Sequence, residues 1–126
     1  MGKTTWTNMR GKANRERKEL TKGTIVLSTF PSKENATKVA RKLLERKLCA
    51  CVNIMNVNSV YTWKGRVQNG REFLCLFKTT TPNLANLKRE IISLHPYEVP
   101  EVVELKMQSI SSDYLEWMES VTLPLS

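Results

Sequence analysis

The sequence is poor in histidine and cysteine. It contains one histidine, His95, and three cysteines, Cys49, Cys51 and Cys75. Three cysteines cannot all pair, which excludes a disulfide-based framework. Neither a signal peptide nor an apolar run long enough to cross a bilayer is recognisable. We therefore expect reduced thiols in a cytoplasmic protein that does not enter the membrane.

Catalytic signatures are missing as well. The sequence shows no pair of nucleophile and base, and its five glycines form no phosphate-binding loop. The Gly-Lys-like element at Lys64-Gly65-Arg66 is typical of a hairpin. Only His95 with Glu98 could act as an acid–base pair. We therefore predict a binding protein and not an enzyme.

Acidic residues are outnumbered, with 12 Asp and Glu against 20 Lys and Arg and a net charge of +8. The meaning of this excess depends on where it lies. Residues 1–23 carry seven Lys/Arg against two Glu, a net of +5. Without a sustained apolar period, this segment is predicted to be a disordered basic tail. A single domain is expected at residues 24–122, with a short tail at 123–126.

The first half of the domain predicts a strand, a helix and a long hairpin. Residues 24–30 are rich in β-formers, and Ser32 is placed to cap a helix that continues to about Lys47. Residues 50–80 predict a hairpin with its turn at Gln68-Asn69-Gly70. The apolar residues of the helix recur with helical spacing: Ala36, Val39, Ala40, Leu43 and Leu44.

The second half predicts helix, strand and helix. Thr81 and Pro82 are expected to open the second helix, residues 101–109 to form the fourth strand, and Ser111, Ser112 or Asp113 to cap a short last helix. The apolar face of the second helix is predicted at Leu84, Leu87, Ile91 and Leu94. The order is βαββαβ plus one helix. It predicts an α+β fold, a ferredoxin-like sandwich with an extra C-terminal helix.

One connection carries an unusual share of titratable groups. Leu94-His95-Pro96-Tyr97-Glu98-Val99-Pro100-Glu101 joins the second helix to the fourth strand. Its prolines stiffen the backbone and keep the residues before them out of helical conformation. Stiff loops with polar side chains often form binding sites, although a rigid linker with one satisfied histidine would show the same pattern.

Five short segments resemble the CutA family, which is associated with tolerance of divalent cations. They follow the family order across residues 24–121: Cys51-Val52-Asn53-Ile54, Ser59-Val60-Tyr61-Thr62-Trp63-Lys64-Gly65, Lys78-Thr79-Thr80, His95-Pro96-Tyr97-Glu98-Val99-Pro100-Glu101 and Asp113-Tyr114-Leu115-Glu116-Trp117. The resemblance implies a ferredoxin-like subunit of a homotrimer, similar in build to the PII nitrogen-regulatory proteins. It also implies binding of copper or another divalent metal. The alternative is PII-like small-ligand signalling, or a scaffold, without a tight metal site.

The metal donors that the resemblance implies are incomplete. Copper prefers imidazole, thiolate and thioether ligands. In bacterial relatives the copper donors match the positions of Ser28, Leu94 and His95, of which only His95 can donate here. Glu98 could complete a carboxylate–imidazole pocket with His95, and Cys51 is a further candidate ligand. Metal binding is therefore expected to be weak.

The resemblance places further residues near clefts between subunits: Tyr61, Trp63, Lys78, Tyr97 and Glu101. Tyr61 and Trp63 lie two apart on a strand and share one face, so they are expected to anchor a core or an interface. Lys78 is expected to be drawn to Glu98 or Glu101, or to an anionic ligand.

RNA-recognition domains share the predicted element order, which makes nucleic acid a candidate partner. The third predicted strand, Arg71-Glu72-Phe73-Leu74-Cys75-Leu76-Phe77-Lys78, lacks the glycines of the RNA-binding signature. The basic tail could still hold phosphates. We expect no nucleic-acid partner, whereas a protein partner of unknown identity stays open.

The predicted sheet is apolar on both faces. Both helices of a βαββαβ unit cover one face, and the last helix is too short to cover the other. Yet Phe73-Leu74-Cys75-Leu76-Phe77 is apolar at every position, so one apolar set faces outward whichever face is buried. An exposed apolar face of this extent marks an interaction surface. We therefore predict an oligomer from the residues alone, and the number three from the resemblance.

Overall fold

The computed structural model describes residues 23–124 and contains the predicted elements in the predicted order. The strands are β1 (Gly23–Phe30), β2 (Cys51–Trp63), β3 (Arg66–Thr80) and β4 (Val103–Lys106), and the helices are α1 (Lys33–Glu45), α2 (Leu84–Leu94) and α3 (Ser112–Val121). The predicted tail lies outside the described residues, except that Gly23 already belongs to β1. Within the described part, none of the helices has the length and apolar character that a membrane span needs.

The four strands form one antiparallel sheet in the order β2-β3-β1-β4. This order is that of the ferredoxin-like sandwich, and the predicted fold class is confirmed. β1 lies in the centre, between β3 and β4. The sheet therefore has two open edges, one along β2 and one along the short β4.

Helix α1 forms as its sequence predicts. The Ser32 hydroxyl accepts a hydrogen bond of 3.0 Å from the Asn35 backbone N–H, which satisfies one of the unpaired donors of the first turn. Four of the five predicted apolar positions are buried, whereas Leu44 lies at the margin of the stripe and is exposed. The helix ends when Lys47 enters the left-handed region at φ 59°.

The predicted hairpin is confirmed, but the predicted position of its turn is wrong. Strands β2 and β3 are joined at Lys64 and Gly65, with φ values of 50° and 76°, and Trp63 pairs with Arg66. Positive φ at both central residues matches the twist of a two-residue hairpin. The Asn69–Gly70 pair instead lies within β3.

The core explains why the turn forms at this point. With the observed turn, Val52 pairs with Phe77 and Ile54 with Cys75, so apolar side chains meet on the helix-covered face. A two-residue turn at 69–70 would instead place Lys64 opposite Cys75. Burying that ammonium would cost far more than an asparagine–glycine turn contributes.

Helix α2 and strand β4 differ from prediction at their ends. Thr81–Asn83 form a short 3-10 turn that contains Pro82, and α2 begins only at Leu84. The fourth strand is shorter than predicted because its ladder reaches only from Val103 to Lys106, opposite β1. The predicted apolar face of α2 is correct: Leu87 and Ile91 are fully buried, and Leu84 and Leu94 pack beside them.

The core lies between the two helices and one face of the sheet. Val26, Phe30, Cys75 and Phe77 supply the sheet side, and Phe30 meets Phe77 edge to face with ring centroids 6.4 Å apart. The sequence left open which face of β3 is buried. The structure places Cys75 and Phe77 toward the helices and Leu74 and Leu76 toward the other face.

The second face of the sheet is apolar and incompletely covered. Pairing places Ile25 beside Leu105 and Leu27 beside Val103 on this face. Val103 and Leu105 are 44% and 48% exposed, and Met55 of β2 is 44% exposed. We call this surface the open sheet face.

Candidate functional site

The candidate site is a groove of about 620 Å³ between the hairpin, the end of β1 and the loop after α2. The hairpin contributes because residues 57–72 extend past the part of β3 that pairs with β1. Five of the residues singled out in the sequence line this groove: Tyr61, Trp63, Tyr97, Glu98 and Glu101. The structure thus brings together side chains from segments far apart in the chain.

His95 lies behind the groove and fixes the loop. Its extended backbone, φ −77° and ψ 135°, ends α2 because Pro96 follows. The Tyr97 backbone N–H donates to His95 Nδ1 at 3.1 Å, so Nε2 must carry the proton that it shares with the Thr29 carbonyl at 2.9 Å. The ring also stacks on Phe30, with centroids 4.3 Å apart. Both ring nitrogens are therefore engaged within the chain.

Burial determines the charge of His95. Desolvation lowers the pKa of the imidazole below its usual value of 6.5, opposed by the hydrogen bond to Thr29 and the charge of Glu72. The Tyr97 amide can donate only to a neutral Nδ1. The folded protein therefore holds His95 in the neutral form at neutral pH.

The loss of this arrangement on acidification is testable. Since the pKa of His95 is lowered in the folded state, its contribution to stability is complete above about pH 6.5 and is lost as the pH falls through the folded pKa. We expect the urea midpoint to fall between about pH 7.5 and about pH 5.5, where most carboxylates stay ionised. The variant His95→Gln should be less stable and show a flatter pH dependence. Equal slopes in the two proteins would contradict this account.

Tyr97 connects the loop to the hairpin. Its hydroxyl donates to Glu72 Oε2 at 2.7 Å, and its ring lies 5.0 Å from that of His95. Burial and the neighbouring Glu72 carboxylate raise the pKa of the phenol well above its usual value. Tyr97 therefore stays a neutral donor that holds the Glu72 carboxylate at the wall of the groove.

The remaining wall is acidic and aromatic. Glu98 and Glu101 are exposed on the loop, opposite Tyr61 and Trp63 of the hairpin, which are 47% and 42% exposed. Glu72 is half-buried. The groove therefore offers carboxylate oxygens and aromatic faces to a ligand.

Lys78 and Cys51 are not part of this groove, and the expected attraction of Lys78 to Glu98 or Glu101 is wrong within the chain. They pair with each other at the other end of the sheet, with Lys78 opposite Ile25. From Ile25 to Thr29, which lines the groove, β1 extends roughly 13 Å. The Lys78 ammonium lies 5.9 Å from the ring centroid of Tyr114 in α3.

The cysteines behave as small apolar residues or lie apart from the groove. Cys49 and Cys75 are buried in the core, and burial raises the pKa of each thiol to about 12. Cys51 is half-buried, its sulfur 4.0 Å from Asn53 Oδ1, and burial together with Cys51 raises the pKa of Tyr114. All three thiols are free.

The donor set of one chain does not fit a tight metal site. Among residues 23–124, no three His, Cys, Asp or Glu side chains lie close enough together to hold a metal ion. Ser28, at the position of a bacterial donor, is fully buried with an unpaired hydroxyl, and Leu94 packs on the core. His95 could bind a metal through Nδ1 only by releasing the Tyr97 amide.

Sequence reasoning missed the hairpin's carboxylate and the backbone of β1. Glu72 lies 25 residues before Tyr97, and only the observed strand register brings them together. The one local indication that Glu72 could belong to a site was its position directly before the apolar run of β3. Thr29 contributes through its carbonyl, which no side-chain pattern reveals.

Fold and groove together define a ferredoxin-like domain with an acidic groove of ligand size and an apolar sheet face open to solvent. The family model for the CutA1 divalent ion tolerance protein matches residues 24–121. The chain therefore belongs to the CutA1 family, and the family resemblance noted in the sequence is confirmed.

The relatives extend over nearly the same domain. The divalent-cation tolerance protein CutA of Thermotoga maritima is 39% identical over 99 residues, which cover 79% of this chain and 98% of that protein. The crystal structure of CutA1 from Ehrlichia chaffeensis matches with a TM-score of 0.79 and 28% identity, covering 82% of this chain and 98% of that one. A structure described as the periplasmic divalent cation tolerance protein CutA from Archaeoglobus fulgidus matches with a TM-score of 0.76 and 30% identity, covering 79% and 97%.

Proposed function

We propose that this chain is the subunit of a cytoplasmic homotrimer that acts in tolerance of divalent cations, copper among them, without catalysing a reaction. Membership of the CutA1 divalent ion tolerance family supports the role in metal-ion tolerance. The observation that carries the assembly is the open sheet face. The cytoplasmic location is inferred from the three free cysteines. It is not taken from the relatives, because one of them is described as periplasmic.

The open sheet face needs a cover that residues 23–124 do not supply. Val103 and Leu105 remain about half exposed although they lie in a regular sheet beside β1. Helix α3 meets this face at its Lys78 end, where Tyr114 lies near Lys78. Burying a large apolar side chain contributes roughly 1.5–3 kcal/mol. Copies of the chain that meet sheet face to sheet face would gain this energy several times over.

The hairpin is the second surface that supports assembly. Val60 and Val67 are strongly exposed near its tip. A two-stranded ribbon without a third strand is marginal in water. Contact with a neighbouring subunit would stabilise it, and three subunits follow from the family resemblance.

Metal binding in this proposal is weak. The ligands predicted from the sequence, His95 with Glu98 and the remote Cys51, stay a prediction. Binding through His95 would be weak because both of its ring nitrogens already form hydrogen bonds within the chain. The exposed carboxylates Glu98 and Glu101 are the oxygen donors open to a divalent ion. The ion would have to complete its coordination with water or with groups of another subunit.

Two measurements test the proposal together. Light scattering of the purified protein should give three times the mass of one chain, and a monomer at micromolar concentration would refute the assembly. Calorimetry with copper, zinc, cadmium and magnesium near neutral pH should show weak binding of at least one ion. If none binds, the direct contact with metal is refuted, while the assembly is judged on the mass alone.

A second function, small-ligand binding in the manner of PII proteins, is favoured by the groove itself. Its volume of about 620 Å³ falls within the range of small-molecule sites. Nucleic-acid binding through the basic tail, residues 1–23, is the less favoured alternative, and this tail lies outside the described part except for Gly23. A protein partner of unknown identity stays a prediction.

A further inference from the structure

We propose that the groove binds a small organic cation, an alkylammonium or guanidinium compound, with its charge paired to carboxylates and its carbon skeleton against aromatic rings. This ligand class goes beyond the proposed function, and the groove would serve it with or without a metal ion. The proposal rests on the charge of the groove, its aromatic wall and its fixed geometry.

The first observation is the charge. Three carboxylates, those of Glu72, Glu98 and Glu101, line the groove, and no Lys, Arg or His is among its lining residues. The chain as a whole has the opposite balance, with 20 Lys/Arg against 12 Asp/Glu. A cavity whose only charged lining residues are carboxylates attracts cations locally. The groove therefore selects for positive charge.

The second observation is the aromatic wall. Tyr61 and Trp63 project from one face of β2, and Tyr97 lies in the loop that borders the same groove. Aromatic faces attract ammonium and guanidinium groups and also accept their alkyl parts. A hydrated metal ion gains little from such walls. The wall therefore favours an organic cation over an inorganic one.

The third observation is the separation of the carboxylates. Calcium and magnesium need several oxygen ligands at about 2.0–2.6 Å from one point. The described residues contain no group of three acidic or other donor side chains that could hold a metal ion. Carboxylates that do not converge can still pair with the separate donors of a larger cation. A groove of about 620 Å³ also has room for more than one ion.

The fourth observation is that part of the groove is rigid before a ligand binds. Phe30 supports the His95 ring, His95 accepts from the Tyr97 backbone, and the Tyr97 hydroxyl holds Glu72 at 2.7 Å. Only one Glu72 oxygen is used in this contact, so the other is open to a ligand. A preformed carboxylate beside an aromatic ring lowers the cost of ordering the site on binding.

The test compares two probes of the same carbon skeleton, putrescine and 1,4-butanediol, by calorimetry on the full-length protein near neutral pH and moderate salt. We expect saturable binding of putrescine and none of the diol, because only the diammonium pairs with the carboxylates. Binding of both probes with equal affinity, or of neither, would overturn the proposal.

Variants then place the binding in the groove. Glu98→Gln and Trp63→Leu should each weaken putrescine binding by about tenfold, through loss of a charge-assisted contact and of a cation–π face respectively. Glu34→Gln, a matched change at an exposed carboxylate in the first turn of α1, should leave the affinity unchanged. Light scattering of every variant checks that the assembly is unaltered. Putrescine affinity that survives both groove variants would refute the site.

The outcome is separable from that of the proposed function. Putrescine binding depends on the groove variants, whereas assembly is read from the mass and metal binding from titrations with the ions alone. Since a divalent ion would use Glu98 and Glu101 as well, magnesium should compete with putrescine for the groove. The ligand class is therefore judged from the contrast between putrescine and 1,4-butanediol and from Trp63→Leu, because a hydrated magnesium ion gains little from the aromatic wall.

Discussion

Replacing Phe77 by alanine is expected to destabilise the protein by about 3–5 kcal/mol, the range for deletion of a buried phenylalanine. The Phe77 side chain is fully buried in the centre of the sheet and meets Phe30 edge to face at 6.4 Å. It also pairs across the strands with Val26 and Val52. The lost ring would leave a cavity that a sheet held by two neighbouring strands cannot close.

Urea denaturation at fixed protein concentration measures this loss, since the proposed assembly would make stability depend on concentration. Ile92→Ala is the matched control, because Ile92 lies on the exposed side of α2 and is 54% exposed. Its cost should stay below about 1 kcal/mol. Similar losses for the two variants would show that Phe77 does not have the central position described here.

The helices and the fold class were predictable because their signals are local. Ser32 caps α1 through a residue three positions away, and the buried positions of α1 and α2 recur every three or four residues. The strand order follows once β, α and β alternate as they do here. None of these inferences required knowledge of which residue pairs with which across the sheet.

Features that depend on register were not predictable. Asn69–Gly70 is a strong local turn signal, but the turn forms at Lys64–Gly65 because the core selects the pairing of Val52 with Phe77. The same pairing decides which apolar set of β3 faces the helices. A pattern that is apolar at every position does not contain this information.

The part of the site that lies in one segment was predictable, and the part that depends on strand register was not. His95, Tyr97, Glu98 and Glu101 come from one stiff loop, so their proximity follows from the chain. The contact of Tyr97 with Glu72 depends on the hairpin register and could not be derived locally. The sequence predicts that Lys78 is drawn to Glu98 or Glu101, or to an anionic ligand. The register places it opposite Ile25, roughly 13 Å along β1 from Thr29 at the groove.

The second large effect is expected on assembly: the double variant Val103→Asp and Leu105→Asp should convert the proposed trimer into monomers. Both side chains lie on the open sheet face, opposite Leu27 and Ile25, and about half of each is exposed in the single chain. Six carboxylates per trimer would then be forced into an apolar contact, where each unpaired charge costs several kcal/mol. The helix-covered core does not contain either residue, so the single chain should keep its fold.

Light scattering gives the mass, and far-ultraviolet circular dichroism reports whether the chain remains folded. The matched control is Glu104→Gln on the same short strand, because Glu104 faces the helices and pairs with Lys88 at 2.7 Å. Removing that exposed ion pair should leave the mass unchanged and alter stability by less than about 1 kcal/mol. A double variant that retains the mass of the trimer would show that the open sheet face is not the surface through which the copies meet. Dissociation of Glu104→Gln would instead place the contact on the helix side of β4.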